Sequence, residues 1–385
     1  MTSFAVPSHA IVAPGDLDYP DFVAGRSAVV RLPETFPVRV GAPLPEDVCP
    51  PHANAELIMP RGVALALEAC DRLEYDPDAH YGLVLALPTL RAEPEFVERS
   101  LDAVGDPSGL IPVRSFFGEA PLAEVAEHLG VDGPRVRVDT ACASGSDALI
   151  FAHQWLEAGA VEDVIVVAST AMLNPLGVAG FNNLGTLSRD DDLRASRPFD
   201  VARNGFVMGE GAAGMWLSSR SHTSAPGYLS GYGQSMNATH MTGVPEDIGV
   251  MLRACRSALA RVPNPGKDLA YISAHGTATR ANDAAEIRVY RELLGEDRAG
   301  VAISSLKSMI GHCLGASSLI EACVCLDILV NGQATPTINL EVPEPNSDLD
   351  FVPNKAKEVS GDFVLSNAFG FGGHNSSLLF SRGQF

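Results

Sequence analysis

The stretch Val138-Asp139-Thr140-Ala141-Cys142-Ala143-Ser144-Gly145-Ser146-Asp147-Ala148-Leu149 decides how the rest of the chain is read. Val136-Arg137-Val138 closes a short extended run, small residues follow, and the pattern predicts a helix from about Ser144 to Glu157. Cys142 therefore sits where a strand turns into a helix. Free backbone N–H groups and the positive end of the helix dipole favour an anion there. A thiol so placed is expected to ionise below its ordinary pKa. Ala141, Ala143, Ser144 and Gly145 leave the sulfur open to a substrate. Taken alone, a buried structural role is the more common one for such a cysteine.

Working outward, Val164–Ser169 and Tyr81–Leu87 are continuous apolar runs of the kind that fill parallel, doubly covered sheets. Helical spacing over residues 56–73 and Leu122–Leu129 alternates with them, which implies an α/β architecture. Residues 1–55 are proline-rich, with a single expected strand at Ala10–Ala13. The signal is weak from Arg91 to Gly118, and 171–198 reads as mostly irregular. Strands are expected at Phe206–Met208 and Ala212–Leu217, and the serine-rich Ser218–Gly227 divides the chain into halves, 1–224 and 225–385. The second half repeats the order: helix Ile248–Arg261, strand Leu269–Ser273, helix Ala284–Leu294, strand Val301–Ser305 and helix Gly311–Leu329. A hairpin of Phe363–Ser366 and Ser376–Phe380 closes it.

The composition, 385 residues with 46% hydrophobic and 19% charged, is that of a globular protein with a large core. A formal net charge of −20 argues against nucleic-acid binding, which needs basic stripes. The seven cysteines are scattered without CxxC pairs, and Cys323-x-Cys325 lies in an apolar helical run without nearby histidines, so neither zinc nor a disulfide framework is expected. That usage fits the reducing cytoplasm. No signal peptide and no membrane-spanning run are expected.

His275 and His312 each stand just beyond a predicted strand, among small residues. Strand ends are where α/β sheets place their sites, and a neutral imidazole there can stabilise an oxyanion or exchange a proton. Each alone could equally cap a loop. A lone lysine is most often solvated, but the apolar flank of Lys307 suggests partial burial, which requires a carboxylate, and Glu321 on the following helix is the natural partner. Phe369-Gly370-Phe371-Gly372-Gly373 reads as a tight turn able to bring backbone N–H groups to a ligand, though by itself a packed hairpin explains it as well.

Four segments occur together and in order: Thr140-Ala141-Cys142-Ala143-Ser144-Gly145, Ala274-His275-Gly276-Thr277-Ala278-Thr279, Lys307-Ser308-Met309-Ile310-Gly311-His312 and Asn367-Ala368-Phe369-Gly370-Phe371-Gly372-Gly373-His374-Asn375. From about residue 130 to the C-terminus the chain resembles the elongating β-ketoacyl-[acyl carrier protein] synthases of fatty acid and polyketide synthesis. The resemblance implies the thiolase fold, two similar βα halves in five αβαβα layers, usually as a homodimer. It implies Cys142 as the acyl-accepting nucleophile, and His275 and His312 as the pair that assists malonyl decarboxylation. Lys307 and Glu321 match the supporting ion pair. Phe371 matches the gate and, with Cys142, the backbone oxyanion hole. Thr277 and Thr279 match the pantetheine contacts, Phe181 falls at the acyl pocket, and Gly370 and Gly372 belong to the substrate-binding turn. No metal and no resident cofactor are implied, because the carrier brings its own phosphopantetheine. The partners implied are an acyl carrier protein and acyl and malonyl thioesters. Two other readings remain: a subunit of a heterodimeric ketosynthase acting mainly as a binding partner, and a Cys142-dependent hydrolase or acyltransferase without decarboxylation.

The sequence also departs from the family pattern. The opening strand with its Thr-Gly-x-Gly turn is not evident in the first 30 residues, and residues 88–125 are hard to match. Ala278 stands where glycine is usual, and Ser317-Ser318 replace smaller residues beyond His312.

Overall fold

A computed structural model of the chain describes residues 1–48, 61–88, 119–238, 240–345 and 347–385. Residues 56–60 of the expected first helix, the weakly patterned Arg91–Gly118 segment, Cys49 and His52 lie outside them. The framework strands are β1 Phe4–Val12, β2 Tyr81–Ala86, β3 Arg135–Val138, β4 Asp163–Thr170 and β5 Gly211–Ser218. After them come β6 Gly227–Met236, β7 Leu269–Ser273, β8 Ala302–Ser304, β9 Phe363–Phe369 and β10 His374–Ser381. The framework helices are α1 Arg61–Asp71, α2 Ala120–Leu129, α3 Ser144–Glu157, α4 Gly249–Ala258, α5 Arg280–Leu294 and α6 Ser317–Asn331.

All ten strands belong to one sheet in the order β8-β7-β9-β10-β6-β1-β5-β4-β2-β3. Each half has the same internal order, and the pairing senses repeat as well. β2 runs parallel to β3 and β4, and β4-β5-β1 are antiparallel. Likewise β7 runs parallel to β8 and β9, and β9-β10-β6 are antiparallel. The halves join where β1 pairs antiparallel with β6.

Alternation along the strands sorts side chains into layers. Val84 and Ala86 of β2, Val164 and Val166 of β4, Val364 of β9 and Phe380 of β10 share one core with α3 and α6. Leu83, Leu85, Ile165 and Val167 face the other way, onto α1 and α2. Leu269, Ile272, Leu365 and Leu379 pack with α4 and α5. The helices α3 and α6 thus form a central layer between the sheet halves, and the αβαβα thiolase arrangement follows. Leu314–Asn331 is apolar enough to cross a membrane by composition, but 83% of that window is buried in this central layer, which accounts for its hydropathy.

The structure corrects several expectations. The opening strand is present as β1, longer than the expected Ala10–Ala13. Its register against β5 shifts between Ala5 and Ser8, which leaves Pro7 out of the ladder it could not donate to. The strand β6 is unannounced in the sequence because Gly231 and Gly233 weaken its pattern. A Cβ at Gly233 would lie 2.0 Å from the Ala254 carbonyl oxygen, so α4 packs directly onto the strand's backbone. The segment 171–198 contains a helix, Pro175–Asn183, whose Asn174 side chain accepts from the Gly177 N–H. Phe206 and Met208 make isolated bridges rather than a strand. The expected helix Gly311–Leu329 is broken: a helical turn at Lys307–Ile310 ends at Gly311 (φ 64), and α6 begins only at Ser317. That break lifts His312 out of helical conformation.

Candidate active site

The turn between β3 and α3 places Cys142. Ala141 is left-handed (φ 52), a conformation that costs an L-residue about 1–2 kcal/mol unless it is held. Ser144 holds it: its Oγ donates to the Ala141 carbonyl at 2.7 Å and accepts from the Thr140 N–H at 2.8 Å. The resulting 3-10 turn, Ala141–Ala143, presents the Cys142 sulfur to a cavity with only 7% of the residue exposed.

His312 Nε2 lies 3.2 Å from Cys142 Sγ, and the His275 ring sits edge-on to His312 with centroids 5.4 Å apart. His275 is held from its backbone side. Glu286 accepts from the N–H groups of His275 at 2.8 Å and Gly276 at 2.6 Å. Lys307, almost wholly buried, lies 3.5 Å from His275 Nδ1 and 2.5 Å from Glu321 Oε1. An ammonium can only donate, so it fixes the neutral His275 with its proton on Nε2. His312 Nδ1 meets the Ser317 hydroxyl at 3.0 Å.

Electrostatics correct one expectation. Burial pushes the Cys142 thiol above its ordinary pKa, although the Phe371 N–H and the Lys307 charge pull it down. Desolvation therefore outweighs the helix end, and the sulfur depends on a neighbouring base to ionise. That base is available in neutral form. Burial, and then the Lys307 charge, hold both His275 and His312 well below the usual imidazole value. Burial pushes Glu321 up to about 7 while Lys307 opposes it. Ligand atoms of Cys142, His275 and His312 lie within 4.8 Å of one another, a spacing that would also suit a soft metal ion.

A cavity of about 360 Å³ opens in front of this group. Phe181, Phe206 and Leu314 line it on the apolar side, and Thr277, Thr279, Asn237 and Asn375 supply polar groups. Phe181 packs edge-on to Phe206, whose ring in turn meets His312. The Thr277 and Thr279 hydroxyls lie 2.9 Å apart. Between them Ala278 is left-handed (φ 64), the backbone that the usual glycine would adopt freely. Phe371 and Gly370 complete the wall, and a Cβ on Gly370 would meet the Cys142 and Ala143 nitrogens at 3.3 and 3.2 Å. Gly372 stands apart from the lining: its N–H donates to the Met241 carbonyl at 2.7 Å and fastens the turn. Of the expected site residues, only Gly372 is not brought to the cavity or to the ion pair behind it. Reading the sequence missed Phe206, Asn237, Glu286 and the role of Ser317. Their placement comes from tertiary contacts; the sequence marked Phe206 only within an expected strand in a family-like segment, and Ser317 only as a departure from the family pattern.

Comparison with known proteins accords with this geometry. Residues 114–223 match the β-ketoacyl synthase N-terminal domain model and residues 227–341 the C-terminal one. A Streptomyces cyaneus protein assigned by name to the polyketide β-ketoacyl synthases is 35% identical over 97% of both chains. The 3-oxoacyl-[acyl-carrier-protein] synthase 2 of Synechocystis is 41% identical over 67% of this chain and 64% of its own. A type II polyketide ketosynthase solved in complex with its acyl carrier protein superposes with a TM-score of 0.87 at 26% identity, covering 99% of each chain. The chain belongs to the β-ketoacyl synthase family of acyl-transferring condensing enzymes.

Proposed function

We propose that the chain condenses an acyl group held on Cys142 with a malonyl thioester, both delivered by an acyl carrier protein. The observation that carries this reading is the Cys142 sulfur 3.2 Å from His312 Nε2, with His275 beside them in one buried pocket. In the first half-reaction Cys142 gives its proton to His312 Nε2, and its sulfur attacks the acyl thioester carbon. The C–S bond to the pantetheine breaks, and the pantetheine sulfur leaves with the proton. Backbone N–H groups of Cys142 and Phe371 stabilise the oxyanion formed between. In the second half-reaction the malonyl carboxylate leaves as CO₂, and its bonding electrons form an enolate. The enolate oxygen accepts from Nε2–H of His275 and His312, and its carbon attacks the Cys142 thioester. That C–S bond breaks, which releases a 3-oxoacyl product two carbons longer and a Cys142 thiolate that takes up one proton.

Thr277 and Thr279 are suited to the pantetheine arm, the Phe181–Phe206–Leu314 side to the acyl chain, and Phe371 to gating the two. The cycle needs no metal and no resident cofactor, since the phosphopantetheine arrives with the carrier. The six described cysteines are unpaired, in keeping with a cytoplasmic setting in fatty acid or polyketide synthesis.

The two sheet edges support a partner chain. Edge β8 is buried and bridged by Asp350, whereas edge β3 is partly exposed and, among the described residues, paired only with β2. We place a second chain along β3, either a copy or a related ketosynthase-like subunit. Incubation with a panel of acyl carriers followed by intact-mass analysis tests the assignment: wild type should gain one acyl group and Cys142→Ala none. Full condensation by Cys142→Ala would overturn it. Activity that appears only after a second subunit is added would select the heterodimer.

A further inference from the structure

The two active-site histidines differ in what stands behind them. His275 Nδ1 faces Lys307 Nζ at 3.5 Å, a group that can only donate, so its proton stays on Nε2. His312 Nδ1 faces the Ser317 Oγ at 3.0 Å, and a hydroxyl both donates and accepts. Ser317 is 1% exposed, and among the described residues no other hydrogen bond engages its hydroxyl. Its counterpart in the first half, Ser144, spends its hydroxyl on backbone, bridging the Thr140 N–H and the Ala141 carbonyl. At the same turn of the second half the hydroxyl serves a side chain instead.

We infer that Ser317 is a positioning residue that lets His312 work in both proton arrangements, one for each half-reaction. This rests on the condensing function proposed above. To take the Cys142 proton, His312 must be bare at Nε2 and carry its proton on Nδ1, which then donates to Ser317 Oγ. To hold the enolate it must carry the proton on Nε2, and Ser317 O–H then donates to the bare Nδ1. Rotation of one hydroxyl satisfies Nδ1 either way. The two forms interchange through water while one carrier is exchanged for the next. An alanine at this position leaves Nδ1 without a partner in either form. The form with Nδ1–H suffers more, because a buried unpaired N–H is the costlier orphan and Nε2–H still has the sulfur beside it.

The test compares Ser317→Ala and Ser317→Thr with wild type in two separate assays. Acylation of Cys142 is followed by intact mass, and CO₂ release from malonyl carrier is followed on enzyme already acylated. Ser317→Ala should slow acylation about tenfold or more while CO₂ release changes less than about threefold, and Ser317→Thr should recover acylation. Equal loss in both assays, or no loss in either, would overturn the inference. If wild type itself neither acylates nor releases CO₂, the condensing function fails instead. Should the alanine variant not fold, nitrogen-15 NMR of His312 in wild type decides. The protonated ring nitrogen should change from Nδ1 to Nε2 between the free and acylated enzyme; one fixed tautomer in both states would refute the role.

Discussion

The turn before α3 and the turn before α6 are the same piece of backbone used twice. Ala141 (φ 52) matches Leu314 (φ 46), Cys142 matches Gly315, and Ser144 matches Ser317 as the first residue of its helix. The turns also touch: a Cβ on Gly315 would lie 3.3 Å from the Ala141 carbonyl, and one on Gly145 only 2.7 Å from the Leu319 nitrogen. Yet one turn carries the nucleophile, and the other carries none but is preceded by His312. Duplication thus supplies two equivalent strained corners, and the chemistry arises because only one of them bears a sulfur. One reaction centre is assembled across the seam between the halves.

The largest expected effect comes from moving the sulfur between the corners. Cys142→Ala should lose acylation by at least about 10³-fold, and adding Gly315→Cys should not restore it, because a side chain there meets the Ala141 carbonyl and the Ser144 side chain and residue 315 does not line the cavity. Intact mass after incubation with acyl carrier reads the result; acylation at residue 315 would break the comparison. Next, the buried charges behind the second corner can be unbalanced. Lys307→Ala leaves Glu321 buried beside no cation and should cost about 3–5 kcal/mol in urea unfolding. The matched Lys307→Ala/Glu321→Ala variant should recover part of that.

The third effect is on pH. Both histidines have lowered values in the folded chain, so the unfolded chain takes up protons near pH 6.5 that the folded one refuses. Their contribution is complete above the unfolded value of about 6.5 and is lost as pH falls below it. From pH 7.5 to 5.5 wild type should lose about 3 kcal/mol relative to a His275→Gln/His312→Gln variant, because each histidine contributes about 1.4 kcal/mol over the single pH unit below 6.5. Denaturant midpoints at the two pH values measure this, and parallel slopes would contradict buried neutral imidazoles. The smallest effect tests the first corner's own serine. Ser144→Ala should cost about 1–2 kcal/mol in thermal unfolding, through loss of the bridge at Ala141.

How far the sequence could be read follows the same seam. Helix α3 runs from Ser144 to Glu157 as its spacing predicts, and β7 matches Leu269–Ser273, because local periodicity alone determines them. The strand β6 was hidden because its glycines are set by contact with α4, a long-range cause with no local signature. The break before α6 was hidden because Leu314 adopts a left-handed backbone that no leucine announces. Cys142, His275, Lys307 and His312 stood out through their small neighbours and their joint resemblance to a family. The sulfur's raised pKa did not, because desolvation depends on everything packed around the turn.

The 7% exposure of Cys142 has a consequence for time rather than for reactivity. A thioester formed there sits in a pocket that a carrier's arm must enter and bulk water reaches poorly. Hydrolysis, the ordinary fate of an activated acyl group, is slowed by that exclusion. Under the function proposed above, an acyl group on Cys142 would then outlast the interval between one carrier and the next.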